Sequence, residues 1–389
     1  MKAPTSPFTS LIRAGRTPRP LAKTVGPPIQ KGSTILIDSA AALYDESRPT
    51  YGRGGLAVQE TLSDALASLE GATAVRLFPS GLAAMTGAML AVLAAGDEVL
   101  VSDGIYKPTR RFCERVLRRF GIAVRYFPPR ASPEAVLAMA GPATRLLVLE
   151  SPASLTFEMQ DAPGVARLAR ARGVLTLIDN TWAASLLFRP LDHGIDISVQ
   201  SLTKYVGGHS DAFMGSASVR DPVLAEALDR CIWDFGWAVA AEDAWAMLRG
   251  LRTLPTRMAR HEAGAMAVAT WLREQPEVRE VLYPALPGAP DHALWKRDYG
   301  GAAGVFSIVL ESRPTAEVHA FLDSLALFGL GFSWGGFESL ALDCDPQFAV
   351  RARPADYGGP VVRLNIGLEE PGDLIADLRA GLDALGHPL

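Results

Sequence analysis

The chain has few cysteines, few histidines and no cluster of either. Its 389 residues contain three cysteines, Cys113, Cys231 and Cys344, which are far apart and form no Cys-x-x-Cys pair. This number and spacing argue against a disulfide framework and against a zinc site, so we expect three reduced packing residues. The six histidines show no metal-ligand spacing either, and no metal site is predicted.

The chain also lacks a long apolar run and an excess of either charge. The longest apolar stretch, residues 83–96, contains Thr and Gly and is shorter than the ~18 residues that suggest a membrane span. Residues 1–30 have scattered Arg and no apolar core like that of a secretory signal. Lys and Arg total 38 against 42 acidic residues, which gives no strong field to recruit nucleic acid or an anionic membrane. We therefore expect a cytoplasmic protein with a small-molecule partner.

The length and the residue pattern predict an arm followed by two domains. A chain this long exceeds the usual limit of one core. Residues 1–55 are rich in Pro, Gly and Ser with little periodicity before Ile35, so they are expected to form an arm that lies on another surface, that of a partner subunit. The predicted boundaries are 1–55 for the arm, 56–250 for a large domain and 251–389 for a small one.

Helix-like and strand-like stretches alternate in the large domain. The predicted helices are 59–69, 82–95, 109–120, 165–172 and a longer one at 241–251, and the predicted strands are 74–78, 98–101, 123–127, 145–149 and 174–178. This alternation indicates βαβ units, hence a mostly parallel central sheet with helices on both faces. The small domain is predicted to be α+β, with strands at 305–310 and 361–366 and a final helix at 373–385.

Lys204 and Asp179 are the most informative residues. Asp179 follows the apolar stretch 174–178, where α/β sheets place functional carboxylates. Ser201 and Thr203 precede Lys204 by three residues and by one. A cofactor with a pyridine ring, an aldehyde and a phosphate needs a lysine amine, a buried carboxylate for the ring nitrogen and hydroxyl donors for the phosphate. A lone lysine is usually a solvated charge, but this combination predicts pyridoxal 5'-phosphate (PLP).

A second phosphate contact is predicted at Ser80-Gly81-Leu82. This segment lies between a strand that ends at Phe78 and a strongly helical stretch. It should direct free backbone N–H groups and a helix N-terminus toward an anion. A simple helix cap is the alternative. The presence of Lys204 with its flanking hydroxyl residues in the same chain favours phosphate binding.

Several motifs accompany these residues in a fixed order from about Pro27 onward. They are Tyr51-Gly-Arg53, Phe78-Pro-Ser-Gly81, Leu149-Glu-Ser-Pro152, Ile178-Asp-Asn-Thr-Trp182, Thr203-Lys-Tyr205, Gly208-His-Ser-Asp211, Ser333-Trp-Gly-Gly-Phe-Glu-Ser339 and Arg363-Leu-Asn-Ile-Gly367. With them the chain resembles the fold-type I PLP enzymes of Cys/Met metabolism, the trans-sulfuration lyases and synthases. The resemblance implies an aspartate aminotransferase-like α/β fold and a homo-oligomer, a dimer with shared active sites that is expected to form a tetramer.

The resemblance also implies a role for each site residue. Lys204 binds the cofactor and moves the substrate Cα proton, Asp179 binds the ring nitrogen, and Tyr106 stacks on the ring. The implied phosphate contacts are Gly81, Leu82, Ser201, Thr203 and, from the neighbouring subunit, Arg53. The implied substrate contacts are Arg363 for the α-carboxylate, Ser333, Trp334 as a pocket wall, and Tyr51 of the neighbouring subunit. Tyr51 is expected to lie near the amine and the cofactor and to have a catalytic role in proton transfer or orientation. His209 and Asp211 are expected to be structural.

The implied activity is a carbon–sulfur β-elimination that converts L-cystathionine or a related cysteine S-conjugate into a thiol, pyruvate and ammonia. Trp334 favours it, because the γ-lyases and γ-synthases usually have a smaller aliphatic residue there. Leu56, Trp233 and Phe337 replace polar residues that are common in the family, so we expect an apolar distal pocket. A γ-elimination or γ-replacement enzyme is the alternative, and a non-catalytic PLP-binding regulator is a minor one.

Overall fold

The computed structural model describes residues 6–13, 24–45, 49–352 and 356–385, which form two sheets. The strands of the larger sheet are β1 (Ala74–Phe78), β2 (Glu98–Ser102), β3 (Ala123–Phe127), β4 (Thr144–Glu150), β5 (Leu175–Asp179), β6 (Ile197–Ser201) and β7 (Gly215–Val219). The strands of the smaller sheet are β8 (Val278–Leu282), β9 (Val305–Leu310), β10 (Gly329–Leu330), β11 (Leu340–Asp343) and β12 (Val361–Asn365).

The larger sheet is parallel except at one strand. Its order is β1-β7-β6-β5-β4-β2-β3, and β7 alone runs antiparallel to its neighbours. Parallel neighbours need crossover connections, which helices supply. In the register of β4 and β5, Glu150 lies opposite Asp179, so both carboxylates reach the same edge of the sheet.

The helices cover this sheet and support the smaller one. In the described part of the chain they are α1 (Pro7–Arg13), α2 (Ala57–Glu70), α3 (Gly81–Val92), α4 (Lys107–Phe112), α5 (Pro133–Ala138), α6 (Ala162–Arg170), α7 (Pro222–Phe235), α8 (Ala241–Leu251), α9 (Leu254–Leu272), α10 (His292–Asp298), α11 (Thr315–Ser324), α12 (Asp345–Phe348) and α13 (Pro371–Ala384). The smaller sheet has the order β10-β11-β12-β9-β8, with only β10 and β11 parallel.

Alternation along β4 shows that both faces of the larger sheet are covered. Leu147 and Leu149 belong to one hydrophobic core, which includes residues of α2, α6 and α8. Leu146 and Val148 belong to a second core, which includes residues of α3 and α7. Successive side chains of a strand point to opposite faces, so a strand that is apolar throughout must be buried on both. The predicted fold class is confirmed.

Most predicted elements are present, with some differences in detail. The helix predicted at 109–120 is α4 followed by a π turn (Cys113–Leu117) and a 3-10 turn (Arg118–Phe120). Strands β6 and β7 were not predicted, because Ser, Ala and Gly give them a weak apolar pattern. The predicted domain boundaries stay a prediction.

The predicted arm is only partly irregular. It contains α1, whose Leu11 is 2% exposed and packs into the first core. Parts of the arm lie outside the described residues. All three cysteines are buried and free, as predicted. No helix in the described part of the chain is long and apolar enough to span a membrane.

Glu70, the last residue of α2, carries a fully buried carboxyl group. Ser185 and Gln200 both donate hydrogen bonds to its Oε1, while its Oε2 has no partner among the described residues. Burial raises the pKa of Glu70 to about 7, although these hydrogen bonds oppose the shift. The folded protein therefore favours the protonated form of Glu70.

The Glu70→Gln variant should become more stable relative to the parent as pH rises. The unfolded chain releases this proton from about pH 4.5, whereas the folded chain holds it to about pH 7, so the parent loses stability across that window. We expect the difference in the free energy of unfolding to grow by up to about 3 kcal/mol between these pH values and then level off. Urea unfolding of the apoprotein at a series of pH values measures it.

Glu98→Gln is the control with the opposite sign. Hydrogen bonds from Arg125 lower the pKa of Glu98, so its contribution to stability is lost as pH falls. This variant should be less stable than the parent at neutral pH and approach it in acid. A pH-independent difference for Glu70→Gln would contradict the assigned burial effect.

Candidate active site

A cavity of about 320 Å³ opens at the edge of the larger sheet where β4, β5 and β6 end. Its walls bring together most of the predicted site residues: Gly81, Leu82, Tyr106, Asp179, Ser201, Thr203, Lys204, Ser333, Trp334 and Arg363. A larger surface cavity of about 750 Å³, beside α6 and the start of α7, contains none of them. Segments far apart in sequence therefore converge at one place, with charged groups inside.

Lys204 extends into this cavity from the loop after β6. Its Nζ donates a hydrogen bond to Ser333 Oγ at 2.9 Å and lies 5.3 Å from the ring centroid of Trp334. Burial, followed by the positive charge of Arg363, lowers the pKa of Lys204 to about 8. About a tenth of this amine is therefore neutral at pH 7, and the neutral form is the one that attacks an aldehyde or accepts a proton.

Asp179, at the end of β5, is half-buried and lines the same cavity as Lys204. Thr181 donates to Asp179 Oδ1 twice, from its backbone N at 3.0 Å and from its hydroxyl at 2.5 Å. Burial raises the pKa of Asp179, and the bonds from Thr181 and the charge of Lys204 oppose that rise. The Thr181 hydroxyl also accepts from Ser201 N at 2.9 Å, so it joins the ends of β5 and β6. Thr181 was not predicted, although it lies in the Asp-Asn-Thr-Trp motif.

Glu150 is a second carboxyl group at the cavity, half-buried, and the sequence predicted it only as part of a motif. It ends β4, opposite Asp179, and its Oε2 accepts a hydrogen bond from Tyr106 N at 2.7 Å. Burial and the nearby charge of Asp179 raise the pKa of Glu150 well above its usual range. Glu150 thus orients the backbone of Tyr106 at the cavity wall. The available signal was its place at a strand end, which it shares with Asp179.

The start of α3 forms a cradle for an anion. Ser80 caps the helix by accepting from Ala83 N at 3.1 Å. A Cβ atom on Gly81 would lie 2.4 Å from the Cβ of Ser201, so only glycine lets this helix end approach β6 so closely. The first N–H groups of the helix therefore lie beside the Ser201 side chain. Thr203 also lines the cavity, but its hydroxyl exchanges two hydrogen bonds with the backbone of Met214.

Arg363 is a buried cation on β12. It is 6% exposed, and its Nη2 donates to the carbonyl oxygens of residues 331, 332 and 333 at 2.9–3.2 Å. No carboxylate in the described part of the chain forms an ion pair with it, and its Nε has no partner there. A buried guanidinium with open donors is suited to a carboxylate ligand.

The loop that carries Ser333 and Trp334 is held by β12 and by Tyr205. Asn365 accepts from Gly335 N at 3.0 Å and donates to Glu338 O at 2.8 Å. The ring of Tyr205 meets that of Trp334 edge-on, with the centroids 5.5 Å apart. Because Tyr205 follows Lys204 directly, the lysine and the Trp334 wall share one support. Asn365 was predicted only as part of a motif, without this role.

Tyr51 and Arg53 do not line the cavity of their own chain. Arg53 instead lies over the ring of Trp233, 4.8 Å from its centroid. Phe337, like Trp233, is absent from the cavity wall. The apolar residues at its mouth are Phe213 and Phe332, which are 73% and 77% exposed.

His209 and Asp211 follow Lys204 in the Gly-His-Ser-Asp motif, and their structural role stays a prediction. His209 Nδ1 is hydrogen-bonded to Gly207 O at 2.7 Å, and neither His209 nor Asp211 lines the cavity. Among the described residues no group of His, Cys, Asp and Glu is placed to hold a metal ion.

The residues of the cavity fit PLP. The α3 cradle with Ser201 suits its phosphate, Asp179 suits its ring nitrogen, and Lys204 suits its aldehyde. Arg363 remains available for a carboxylate of the substrate. The volume is at the lower end of the range for small-molecule sites.

Known proteins resemble this chain over nearly its whole length. The model of the family described as Cys/Met metabolism PLP-dependent enzyme matches residues 8–383. Cystathionine beta-lyase MetC of Escherichia coli is 40% identical over 96% of this chain and 97% of its own. Cystathionine beta-lyase of Bordetella avium is 42% identical over 93% of each chain. The crystal structure of cystathionine gamma-lyase from Lactobacillus plantarum with L-serine has a TM-score of 0.91, 29% identity, and coverage of 98% of this chain and 100% of that one.

Borohydride reduction of the protein with PLP should fix the cofactor on the peptide that contains Lys204. The lowered pKa of Lys204 supplies neutral amine, so incorporation into apoprotein should accelerate as pH rises through about 8. Peptide mass spectrometry locates the label. Lys204→Ala should bind PLP only reversibly, and Lys296→Ala, outside the cavity, should behave like the parent. A label on any other lysine would contradict the assignment.

Proposed function

The chain belongs to the Cys/Met metabolism PLP-dependent enzymes, and from this membership we propose that it is a carbon–sulfur β-lyase. Its cofactor is PLP, and its substrate is L-cystathionine or a related cysteine S-conjugate. The observation that carries the proposal is the placement of Lys204 Nζ, bonded to Ser333, in the same cavity as the Arg363 guanidinium, which has no carboxylate partner among the described residues. An amino acid bound through its α-carboxylate would present its Cα to an amine base.

Each residue has a distinct task in this proposal. Bound PLP supplies the sink for the electron pair released when the substrate Cα–H bond breaks. Asp179 keeps a negative charge at the ring nitrogen, with Thr181 orienting its carboxylate. Arg363 and Ser333 hold the α-carboxylate, and Lys204 takes the Cα proton and returns protons afterwards.

Cleavage at the β carbon accounts for all atoms with one water molecule. The Cα proton is removed, the Cβ–S bond breaks, and the sulfur leaves with its electron pair as a thiolate. Hydrolysis of the remaining three-carbon fragment gives pyruvate and ammonia. Trp334, held edge-on by Tyr205, lines the cavity, and its bulk supports β over γ chemistry.

The products from L-cystathionine distinguish the candidate functions. A β-lyase releases homocysteine, pyruvate and ammonia, whereas a γ-lyase releases cysteine, 2-oxobutyrate and ammonia. We expect pyruvate, identified by chromatography of the keto acids. Mainly 2-oxobutyrate would establish the γ alternative, and no keto acid from the PLP-loaded protein with any thioether would favour a non-catalytic regulator.

Phe213 and Phe332 at the mouth of the cavity support a preference for substrates with apolar S-substituents. The protein should then have a higher kcat/KM for S-alkyl or S-aryl cysteine than for cystathionine. Phe332→Tyr adds a hydroxyl where the distal polar groups of cystathionine would lie. It should shift the kcat/KM ratio toward cystathionine by roughly fivefold, equivalent to about 1 kcal/mol for one hydrogen bond.

Phe337→Tyr is the matched control for the residue at the mouth. It makes the same chemical change on the same loop, but at a residue that does not line the cavity. It should leave the kcat/KM ratio close to that of the parent. A larger effect of Phe337→Tyr than of Phe332→Tyr would contradict the role of Phe332 in substrate specificity.

The proposal includes an active site shared between subunits. Tyr51 and Arg53 are outside the cavity of their own chain, and the resemblance assigns both to the site of a partner. The smallest functional unit would then be a symmetric dimer, with a tetramer formed from two dimers. The cytoplasm remains the proposed compartment.

Mixing two inactive variants tests the shared site. Arg53→Ala and Lys204→Ala should each be nearly inactive, but a mixed dimer would contain one site with both residues intact. Random assembly should restore about a quarter of the parent activity, since about half of the dimers are mixed and each has one complete site. Co-expression with two affinity tags isolates the mixed dimers. Full activity of a stable monomer, or no recovery in mixed dimers, would rule out the shared site.

A further inference from the structure

The side chain of Arg53 rests on two aromatic rings. Its guanidinium carbon lies 4.8 Å from the ring centroid of Trp233 and 5.5 Å from that of Tyr51. Both distances are within the range of a cation–π contact. No carboxylate in the described ranges forms an ion pair with Arg53. A cation–π contact attracts the charge of the guanidinium without using its N–H groups as hydrogen-bond donors to an anion, so these donors stay available for one.

The backbone around Arg53 also depends on Trp233. Arg53 is the middle residue of a 3-10 turn, Gly52–Gly54, whose first N–H donates to Ser33 O at 2.8 Å. A Cβ atom on Gly54 would lie 3.1 Å from Trp233 Cζ2, closer than an unstrained contact. Glycine there lets the turn lie directly against the indole. Trp233 therefore contacts both the main chain and the side chain of this short segment.

Trp233 has a rigid base and little role in the core. It lies near the end of α7, a helix whose Leu224 and Leu228 are buried in the second core. Trp233 itself is 42% exposed and belongs to neither of the two large cores. A large aromatic ring on a fixed helix, half covered by an arginine-bearing turn, is suited to hold that arginine in place.

We propose that Trp233 is a positioning residue that holds Arg53 ready for the PLP phosphate of the neighbouring subunit. The inference rests on the shared active site proposed above. Stacking on Trp233 reduces the rotamers of Arg53 before the phosphate binds, yet uses none of the donors that a phosphate needs. Each chain would in this way set the cofactor affinity of its partner, through a residue outside its own cavity.

Removal of the indole should weaken PLP binding without abolishing it. We expect Trp233→Leu to raise the apparent Kd for PLP by roughly 2- to 5-fold, the effect of losing one partly exposed cation–π contact. The measurement is titration of apoprotein with PLP, followed by borohydride reduction and quantification of PLP fixed on Lys204. Trp233→Phe, which keeps an aromatic face, should restore most of the affinity.

Two further variants separate positioning from general damage to the helix. Phe235→Leu changes an exposed aromatic residue on α7 that stacks on Trp237 and should leave the Kd for PLP unchanged. Gly54→Ala keeps the indole and shifts the turn or the ring by only a few tenths of an ångström, so it should weaken PLP binding less than Trp233→Leu does. If Phe235→Leu weakens binding as much as Trp233→Leu, or Gly54→Ala weakens it more, the positioning role fails.

Mixed dimers show which subunit the effect belongs to. In a dimer of Lys204→Ala and Arg53→Ala chains, only the complete site can be labelled by borohydride, and its Arg53 comes from the Lys204→Ala chain. Trp233→Leu on that chain should weaken PLP labelling, whereas Trp233→Leu on the Arg53→Ala chain should not. Equal effects from both placements would overturn the inference while leaving the shared site intact. Failure of the mixed dimers themselves would instead refute the shared site.

Discussion

The constraint on which the rest of the site depends is the placement of two cations and two carboxyl groups, all at least half-buried, around one small cavity. Lys204, Arg363, Asp179 and Glu150 all lie on or near its walls, and burial shifts the pKa of each toward its neutral form. Charged groups removed from water are stable only with partners. Arg363 Nε has no hydrogen-bond partner among the described residues, so a ligand with a negative charge would satisfy it.

The surrounding structure holds these groups in place through short hydrogen-bonded links between strand ends. Thr181 connects Asp179 to the start of the Lys204 loop, and Glu150 holds the backbone of Tyr106. On the opposite wall, Arg363 and Asn365 bind the loop of Ser333 and Trp334. The two sheets thus meet at the cavity, where the larger sheet supplies Asp179 and the smaller sheet supplies Arg363. Such support fixes catalytic groups more firmly than isolated loops would.

The arm, unlike the two sheets, contributes none of its described residues to the wall of this cavity. Its Tyr51 and Arg53 stand apart from the cavity of their own chain, while Trp233 and Gly54 hold the Arg53 turn in a defined position. In the proposed shared site, an arginine that serves another subunit would need support from its own chain, because a solvated side chain would have to be ordered on assembly. The aromatic ring provides this support without occupying the donors. The same reasoning explains why an arm with little core of its own ends in so well defined a turn.

The sequence by itself determined the family, the mostly parallel sheet and the central pair Lys204 and Asp179, because strand ends and local motifs are visible in the order of residues. It did not predict β6 and β7, whose small residues leave little apolar pattern, or the roles of Glu150, Thr181 and Asn365. Only the tertiary structure decided these roles. It also showed that Phe213 and Phe332, rather than Trp233 and Phe337, are the apolar residues at the mouth of the cavity, and that Arg53 lies over the ring of Trp233. Each of these contacts joins residues that are distant in the chain, and their pairing depends on strand order and helix packing, which a linear pattern does not contain.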